Sequence, residues 1–80
     1  MLQFVMQGTR QLTCVIGREG DGFVSLCPEL DIASQGGTIE EARTNLVEAI
    51  ELFFETADKA EISERLRGEV YVTPIEVRVA

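Results

Sequence analysis

The fold is decided between residues 20 and 42, where the sequence reads Gly20-Asp21-Gly22-Phe23-Val24-Ser25-Leu26-Cys27-Pro28-Glu29-Leu30-Asp31-Ile32-Ala33-Ser34-Gln35-Gly36-Gly37-Thr38-Ile39-Glu40-Glu41-Ala42. Glycines beside an acidic residue supply the positive-φ positions of a tight turn, so the β-prone residues on either side predict a β-hairpin from Gln11 to Cys27. Pro28 ends the second strand because proline donates no ladder hydrogen bond. A short third strand is expected at residues 32–35, closed by Gly36-Gly37.

The register of the hairpin follows from its loop. If the loop consists of residues 20 and 21, the facing pairs are Arg18 with Phe23, Ile16 with Ser25 and Cys14 with Cys27. Both faces then carry apolar side chains, which are Leu12, Cys14, Ile16, Phe23 and Cys27 on one face and Val15, Val24 and Leu26 on the other. Because such a sheet usually has something packed on both faces, we expect one face to meet a helix and the other a second copy or a partner.

The helical pattern that follows spans residues 38–57. Thr38 and Glu41 match a capping box, in which the Thr38 side chain accepts from the amide of Glu41 and the Glu41 side chain reaches back to the amide of Thr38. Apolar residues then recur at three- and four-residue spacing, at Ile39, Ala42, Leu46, Ala49, Ile50, Phe53 and Ala57. The opposite side is acidic, so this main helix is expected to cover the sheet and to show an acidic face to solvent.

The remaining segments complete a β-β-β-α-β order. Residues 62–67 are expected to form a short second helix or a turn, with Ser63 as a cap, and residues 69–79 a last strand whose side-chain phase slips near Pro74. Residues 1–10 resemble an amino-terminal strand or arm. The fold class is therefore α+β, with one domain over residues 1–80 in which one antiparallel-rich sheet packs on one long helix. Either the arm or the last strand could pair across subunits.

The composition and net charge limit the classes of function that the chain can have. Lys+Arg 7 against Asp+Glu 14 gives a net charge of −7, which disfavours direct nucleic-acid binding and suits a basic partner. The 80 residues allow only a marginal core, so self-association is a natural supplement. No secretory or membrane-spanning pattern is visible, and a cytoplasmic location is expected. Cys14 and Cys27 match no disulfide framework or metal spacing and are interpreted as partly buried thiols.

Catalytic chemistry is not predicted. The chain has no histidine, so nucleophiles such as Ser25 have no histidine base to activate them. Acidic pairs occur at Glu19/Asp21, Glu29/Asp31 and Glu40/Glu41, but turns and helix starts are where such residues ordinarily occur. The glycines are not spaced as a phosphate-binding loop. We therefore predict no enzyme activity, no metal site and no cofactor.

Three stretches together resemble the HicB antitoxin family of toxin-antitoxin systems. They are the Gly-aromatic hairpin and Pro-x-Leu turn at 20–31, the Gly-x-Thr-x-x-Glu-Ala helix start within 33–42, and the Ala-Ile-Glu-Leu helix body at 49–54. The resemblance covers roughly Leu12 to Ala57. It implies a partial RNase H-like fold without the catalytic acids. It also implies binding to HicA, a small basic mRNA-cleaving toxin, whose active site the antitoxin blocks.

Members of that family are commonly homodimers or homotetramers. Many add a carboxy-terminal DNA-binding domain, whereas this sequence ends at Ala80, so we expect no operator binding by this chain. The candidate partner-binding residues are Phe23 and Leu26 for contact and Glu40, Glu48, Glu51 and Glu55 for electrostatic steering of the toxin.

Two alternatives stay open. One is a structural homo-oligomeric domain without a toxin partner. The other is a metal-dependent nuclease remnant that uses Asp21, Glu29 and Asp31.

Overall fold

The computed structural model describes residues 8–80, which form three strands followed by two helices. The strands are β1 (Val15–Glu19), β2 (Gly22–Cys27) and β3 (Ile32–Gly36), and the helices are α1 (Ile39–Thr56) and α2 (Lys59–Leu66). The strands form one antiparallel sheet in the order β1-β2-β3, against which α1 packs. The predicted α+β class and its β-β-β-α core are confirmed.

The hairpin between β1 and β2 has the predicted two-residue loop. Arg18 faces Phe23 and Ile16 faces Ser25, as the glycine positions indicated. The φ of Gly20 is 59°, a conformation that glycine adopts without steric cost at the first loop position of a type II′ turn. β1 begins at Val15, so Cys14 lies before the strand and outside the ladder pairs with β2.

The two faces of the sheet have different surroundings. The face under α1 carries Ser25 and Cys27, both completely buried. Alternate residues point to the other face, where Val15, Leu26 and Ala33 line up across the three strands and are exposed. We call Val15, Val24, Leu26 and Ala33 the open sheet face; it is the second apolar face predicted from the register.

Helix α1 begins and ends at the predicted positions. Thr38 is its N-cap and accepts a 3.0 Å hydrogen bond from the Glu41 amide, as expected for the capping box. The reciprocal bond differs from the prediction, because Glu41 Oε1 accepts from the amide of Gly37, at 2.5 Å, rather than from Thr38. Gly36 lies so close to the helix start that an added Cβ would stand 2.5 Å from the Ala42 nitrogen, so glycine permits this sharp strand-to-helix turn.

The core lies between α1 and the end of β2. Cys27, Leu30 and Leu46 form its buried centre, and Ala42 is buried beside the sheet. Partly buried side chains surround this centre, namely Leu12, Ile32, Ile50, Phe53, Phe54 and Leu66. Most of the predicted apolar stripe of α1 therefore faces the sheet, whereas Ile39 is 54% exposed.

The second helix starts earlier than predicted. Its N-cap is Asp58, whose side chain accepts a 2.8 Å hydrogen bond from the Glu61 amide, rather than Ser63. An aspartate caps a helix as well as a serine does. Asp58 can therefore start α2 directly after the end of α1 at Thr56. The Arg65 guanidinium then donates to the Leu30 carbonyl oxygen and fastens α2 to the β2–β3 turn.

The predicted last strand differs most from the structure. Residues 69–80 contain no helix or strand and are all exposed, because no neighbouring strand within residues 8–80 supplies ladder hydrogen bonds to them. The predicted arm at residues 1–10 lies largely outside the described residues. Its described part, residues 8–10, is exposed and has no regular secondary structure.

Candidate functional site

The acidic residues predicted to steer a partner form one exposed stripe. Glu40, Glu48, Glu51 and Glu55 are all exposed on α1, and we call them the acidic stripe. At ~100° per residue they fall within an arc of about 80°, opposite the buried Ala42 and Leu46. The structure therefore brings the four candidate glutamates to one side of one helix.

No salt bridge among residues 8–80 joins a cation to this stripe. The salt bridges among residues 8–80 join Arg65 to Glu61 at 3.3 Å and Arg67 to Glu64 at 3.0 Å, both outside α1. The last turn of α1 carries no basic residue. The negative potential of the stripe is consequently available to a charge from outside the chain.

The two predicted contact residues, Phe23 and Leu26, lie on opposite faces of the sheet. Phe23 is half-buried on the sheet face that α1 covers, and the Arg18 guanidinium carbon lies 4.6 Å from the centre of its ring. Leu26 is 36% exposed on the open sheet face beside Val15, which is 45% exposed. A flat partner surface can therefore contact Leu26 or Phe23, but not both.

A groove that the sequence did not predict lies between α1 and the residues that lead into β1. Its volume is about 780 Å³. One wall is built by residues between Gly8 and Cys14, and the other by an apolar edge of α1 that includes Val47, Ile50 and Phe54. We call it the edge groove. Glu51 and Glu55 of the acidic stripe also line it, so the groove and the stripe are continuous.

The carboxylate of Glu29 ties the chain before β1 to the β2–β3 turn. Its two oxygens accept hydrogen bonds of 3.1 Å from the Thr13 amide, and Oε2 accepts one of 2.5 Å from the Thr13 hydroxyl. Burial by itself acts to raise the pKa of Glu29, but the hydrogen bonds from Thr13 outweigh it and hold that pKa below its ordinary value. This glutamate is a structural tie that residue spacing alone did not reveal.

The buried Cys27 contacts the same Glu29 carboxylate. Its thiol donates a 3.4 Å hydrogen bond to Glu29 Oε1. Burial raises the pKa of Cys27, and the neighbouring Glu29 carboxylate raises it further. The neutral thiol is therefore favoured, and it behaves as a core side chain rather than as a nucleophile. Cys14, in contrast, is exposed.

The acids of the nuclease alternative are separated. Asp21 lies in the hairpin loop, whereas Glu29 and Asp31 lie in the turn at the other end of β2. Six residues of strand span about 20 Å, too far for a shared ion. Within residues 8–80 no group of three or more acidic, cysteine or histidine side chains is placed to hold a metal ion.

Neither helix described for residues 8–80 has the combination of length and apolarity needed to cross a bilayer.

Comparison of the chain with protein-family models, with curated proteins and with solved structures finds no match.

Proposed function

We propose that this chain is a HicB-like antitoxin: a cytoplasmic, non-enzymatic module that neutralises a small basic mRNA-cleaving toxin of the HicA type by binding it directly. The observation that carries the proposal is the acidic stripe, four exposed glutamates on one helix with no cation of the described chain paired to them. No cofactor takes part in this function, and the chain contacts the toxin rather than nucleic acid. The motifs at residues 20–54 add the family resemblance.

The stripe suits the capture of a basic protein. Its glutamates lie on a helix, so little backbone order remains to be imposed on binding. Exposed charges of one sign accelerate encounter with the opposite charge and reject acidic partners. Their influence extends about 8–10 Å at physiological ionic strength, which makes the association rate sensitive to salt.

Apolar contacts complete the proposed interface. Val47 is 44% exposed beside the stripe, in the edge groove, and adds apolar area next to Glu51. Leu26 and the open sheet face form a second surface on the other side of the sheet. The stripe side is the proposed primary contact because charge and apolar area adjoin there, as in the polar rim and apolar centre of known interfaces.

A matched pair of triple variants tests the stripe. The first replaces Glu48, Glu51 and Glu55 with glutamine, and the second does the same at Glu19, Glu69 and Glu76, which are exposed and lie outside α1. Both change the net charge equally, so they separate the local stripe from the overall charge. Stopped-flow association with a purified HicA-type toxin should slow about tenfold or more for the stripe variant at low salt, and much less for the control.

Two results would refute the proposal. Equal slowing in both triple variants would remove the stripe as the recognition surface. The absence of any complex with a HicA-type toxin encoded beside this chain's gene would remove the antitoxin function. An mRNA-cleavage assay with the toxin reports neutralisation directly, and the Leu26→Ala variant in the same assay tests the open sheet face.

A structural homo-oligomer is the second candidate function. The observation that favours it is the amount of exposed apolar surface, which includes Val15 and Leu26 on the sheet and Tyr71, Ile75 and Val79 near the carboxy terminus. Such surface on a small chain is typical of an interaction site. This candidate predicts a stable oligomer that leaves the toxin active.

The nuclease alternative predicts heat on calorimetric titration with Mg²⁺ or Mn²⁺, and a flat titration would exclude it.

A further inference from the structure

The ladder between β1 and β2 ends one residue before two cysteines would pair. Its last pair is Val15 with Leu26, so one more step along both strands leads to Cys14 and Cys27. The next ladder hydrogen bond would need an amide hydrogen at Pro28, which proline lacks. The ladder thus ends because a donor is missing, and the two segments need not separate for it to end.

A side-chain hydrogen bond keeps the two segments together beyond the ladder. The Thr13 amide donates to both oxygens of the Glu29 carboxylate, each at 3.1 Å. Oε1 of the same carboxylate accepts from the Cys27 thiol at 3.4 Å. The Thr13 nitrogen and the Cys27 sulfur therefore contact one and the same oxygen atom. Cys14, the residue after Thr13, is fixed beside the end of β2 on both of its sides.

The two thiols also lie on the same side of the sheet. Cys27 is completely buried under α1, in the core cluster that contains Leu46. Cys14 lines the edge groove, whose wall also includes Leu46. Because Cys14 is exposed, one thiol of the pair is accessible to solvent and the other is covered.

The spacing of the strands at this position suits a disulfide. The residues next to a two-residue hairpin loop form a hydrogen-bonded pair, and the two kinds of pair then alternate along the ladder. Counted from Glu19 and Gly22, the position of Cys14 and Cys27 is a non-hydrogen-bonded one. Cα atoms at such a position are about 4.5 Å apart, which lies within the range of roughly 4.4–6.8 Å that disulfides span.

We propose that Cys14 and Cys27 form a reversible intrachain disulfide by exchange with a low-molecular-weight disulfide such as oxidised glutathione. The Cys14 thiolate attacks one sulfur of the small disulfide, forms a mixed disulfide and releases the first small thiol. The Cys27 thiolate then attacks the Cys14 sulfur, and the second small thiol leaves. The protein loses two thiol protons and two electrons, and the small disulfide is reduced to two thiols.

The surroundings of Cys27 decide which cysteine reacts first. Its thiol is completely buried and its pKa is raised by burial and by Glu29, so reagents in solvent meet little thiolate. A sulfur held beside this thiol acts at a high effective concentration, which compensates in the second step. The inference does not rest on the proposed antitoxin function, because it uses no residue of the acidic stripe or of the open sheet face.

Equilibration of the full chain with glutathione redox buffers tests the pair. The protein is incubated at a series of ratios of reduced to oxidised glutathione, in buffer and in concentrated urea. After acid quenching, the intact mass distinguishes the dithiol, the mixed disulfide and the intrachain disulfide. We expect the equilibrium constant for the intrachain disulfide to be at least about tenfold larger in buffer than in urea. An equal or smaller constant in buffer would mean that the fold holds the thiols apart, and would overturn the proposal.

A matched variant moves the exposed thiol by one residue. Cys14→Ser combined with Val15→Cys leaves the length of the closed loop almost unchanged, but turns the new thiol to the open sheet face. In this variant, folding should no longer favour a disulfide with Cys27. The same gain in the variant as in the wild type would contradict the pairing. A covalent dimer of the wild type on a non-reducing gel, in place of the intrachain product, would also contradict it.

Thermal unfolding gives a second measurement. A disulfide that the folded state favours tenfold stabilises that state to the same extent by linkage, which raises the thermal midpoint by about 5–10 °C. The oxidised wild type should therefore unfold at a higher temperature than the reduced protein, and Cys14→Ser should show no difference between the two conditions. A lower midpoint for the oxidised wild type would overturn the proposal.

Discussion

The hydroxyl of Ser25 donates a 2.8 Å hydrogen bond to the backbone carbonyl oxygen of Ala42, and both residues are completely buried. Ser25 lies in the middle strand and Ala42 in the first turns of α1, so the bond joins the sheet to the helix across the core. A buried hydroxyl needs such a partner, because an unsatisfied one costs free energy. The pairing also fixes where along the sheet the helix starts.

Replacing Ser25 with alanine is expected to lower the free energy of unfolding by about 1 kcal/mol, because a buried hydrogen bond is lost. Ser34 faces Ser25 on β3 and is half-buried, and the side-chain hydrogen bonds within residues 8–80 do not include it. Ser34→Ala is therefore the matched control. Urea unfolding followed by circular dichroism measures both variants, and equal losses would mean that the bond to Ala42 contributes nothing specific.

Glu29 is expected to make stability depend on pH. Hydrogen bonds from Thr13 hold its pKa below the ordinary value of 4.5 in the folded chain despite partial burial. A carboxylate with a lowered folded pKa stabilises the fold above its unfolded pKa, and that stabilisation is lost as the pH falls through the folded pKa. The difference in unfolding free energy between wild type and Glu29→Gln should thus shrink below about pH 4.5.

Urea titrations at a series of pH values between neutral and strongly acidic measure this difference. Glu48→Gln removes one exposed carboxylate of α1 and controls for the change in net charge. If the unfolding free energy of the wild type exceeded that of Glu29→Gln by the same amount throughout the acid range, the role assigned to the hydrogen bonds from Thr13 would be wrong.

The two thiols are expected to react very differently. Cys27 is completely buried and its pKa is raised by burial and by Glu29, so both access and thiolate formation are disfavoured. Cys14 is exposed. In the folded protein a thiol reagent should modify Cys14 at most, and Cys27 only on unfolding. The Cys14→Ser variant should then show no fast phase; a fast phase in that variant would place Cys27 at the surface.

Much of the fold could be predicted because its signals are local. The two-residue loop at Gly20 and Asp21 fixed the hairpin register, and Thr38 with the apolar spacing after it fixed the main helix almost to the residue. Turn residues and helix caps act over a few neighbouring residues, so they can be recognised in a single sequence.

The parts that could not be predicted depend on distant contacts. The tie between Glu29 and Thr13 joins residues 16 apart, and the bond from Arg65 to Leu30 joins residues 35 apart. The edge groove likewise arises from the packing of α1 beside residues 8–14. The last strand was expected from its own alternation, but a strand also needs a neighbour, and alternation carries no information about which chain provides it.

Gly36 is expected to tolerate no side chain. A Cβ there would stand 2.5 Å from the Ala42 nitrogen and 2.8 Å from the Glu41 carbonyl carbon, both backbone atoms of α1. Gly36→Ala should therefore lower the unfolding free energy by about 1–3 kcal/mol, as overpacking does. Gly17→Ala, with nothing within 4 Å of its Cβ, should raise it by about 0.5 kcal/mol, since alanine loses less entropy in a strand. The two variants should thus shift the thermal midpoint in opposite directions.

Leu46 and Leu52 give the sharpest comparison of buried and exposed positions on α1. Leu46 is 1% exposed and belongs to the core cluster with Cys27 and Leu30, whereas Leu52 is 58% exposed. Leu46→Ala removes buried methyl groups and leaves a cavity, which costs about 2–5 kcal/mol. For a small core this is a large share of the total, so the variant should be extensively unfolded at moderate temperature.

Leu52→Ala makes the same chemical change at the surface and should stay within about 0.5 kcal/mol of the wild type. Unfolding must be compared at one protein concentration, because any self-association would contribute to apparent stability. A loss above about 1 kcal/mol for Leu52→Ala would show that this leucine is covered in solution. If that loss grew with protein concentration, the cover would be a second copy of the chain.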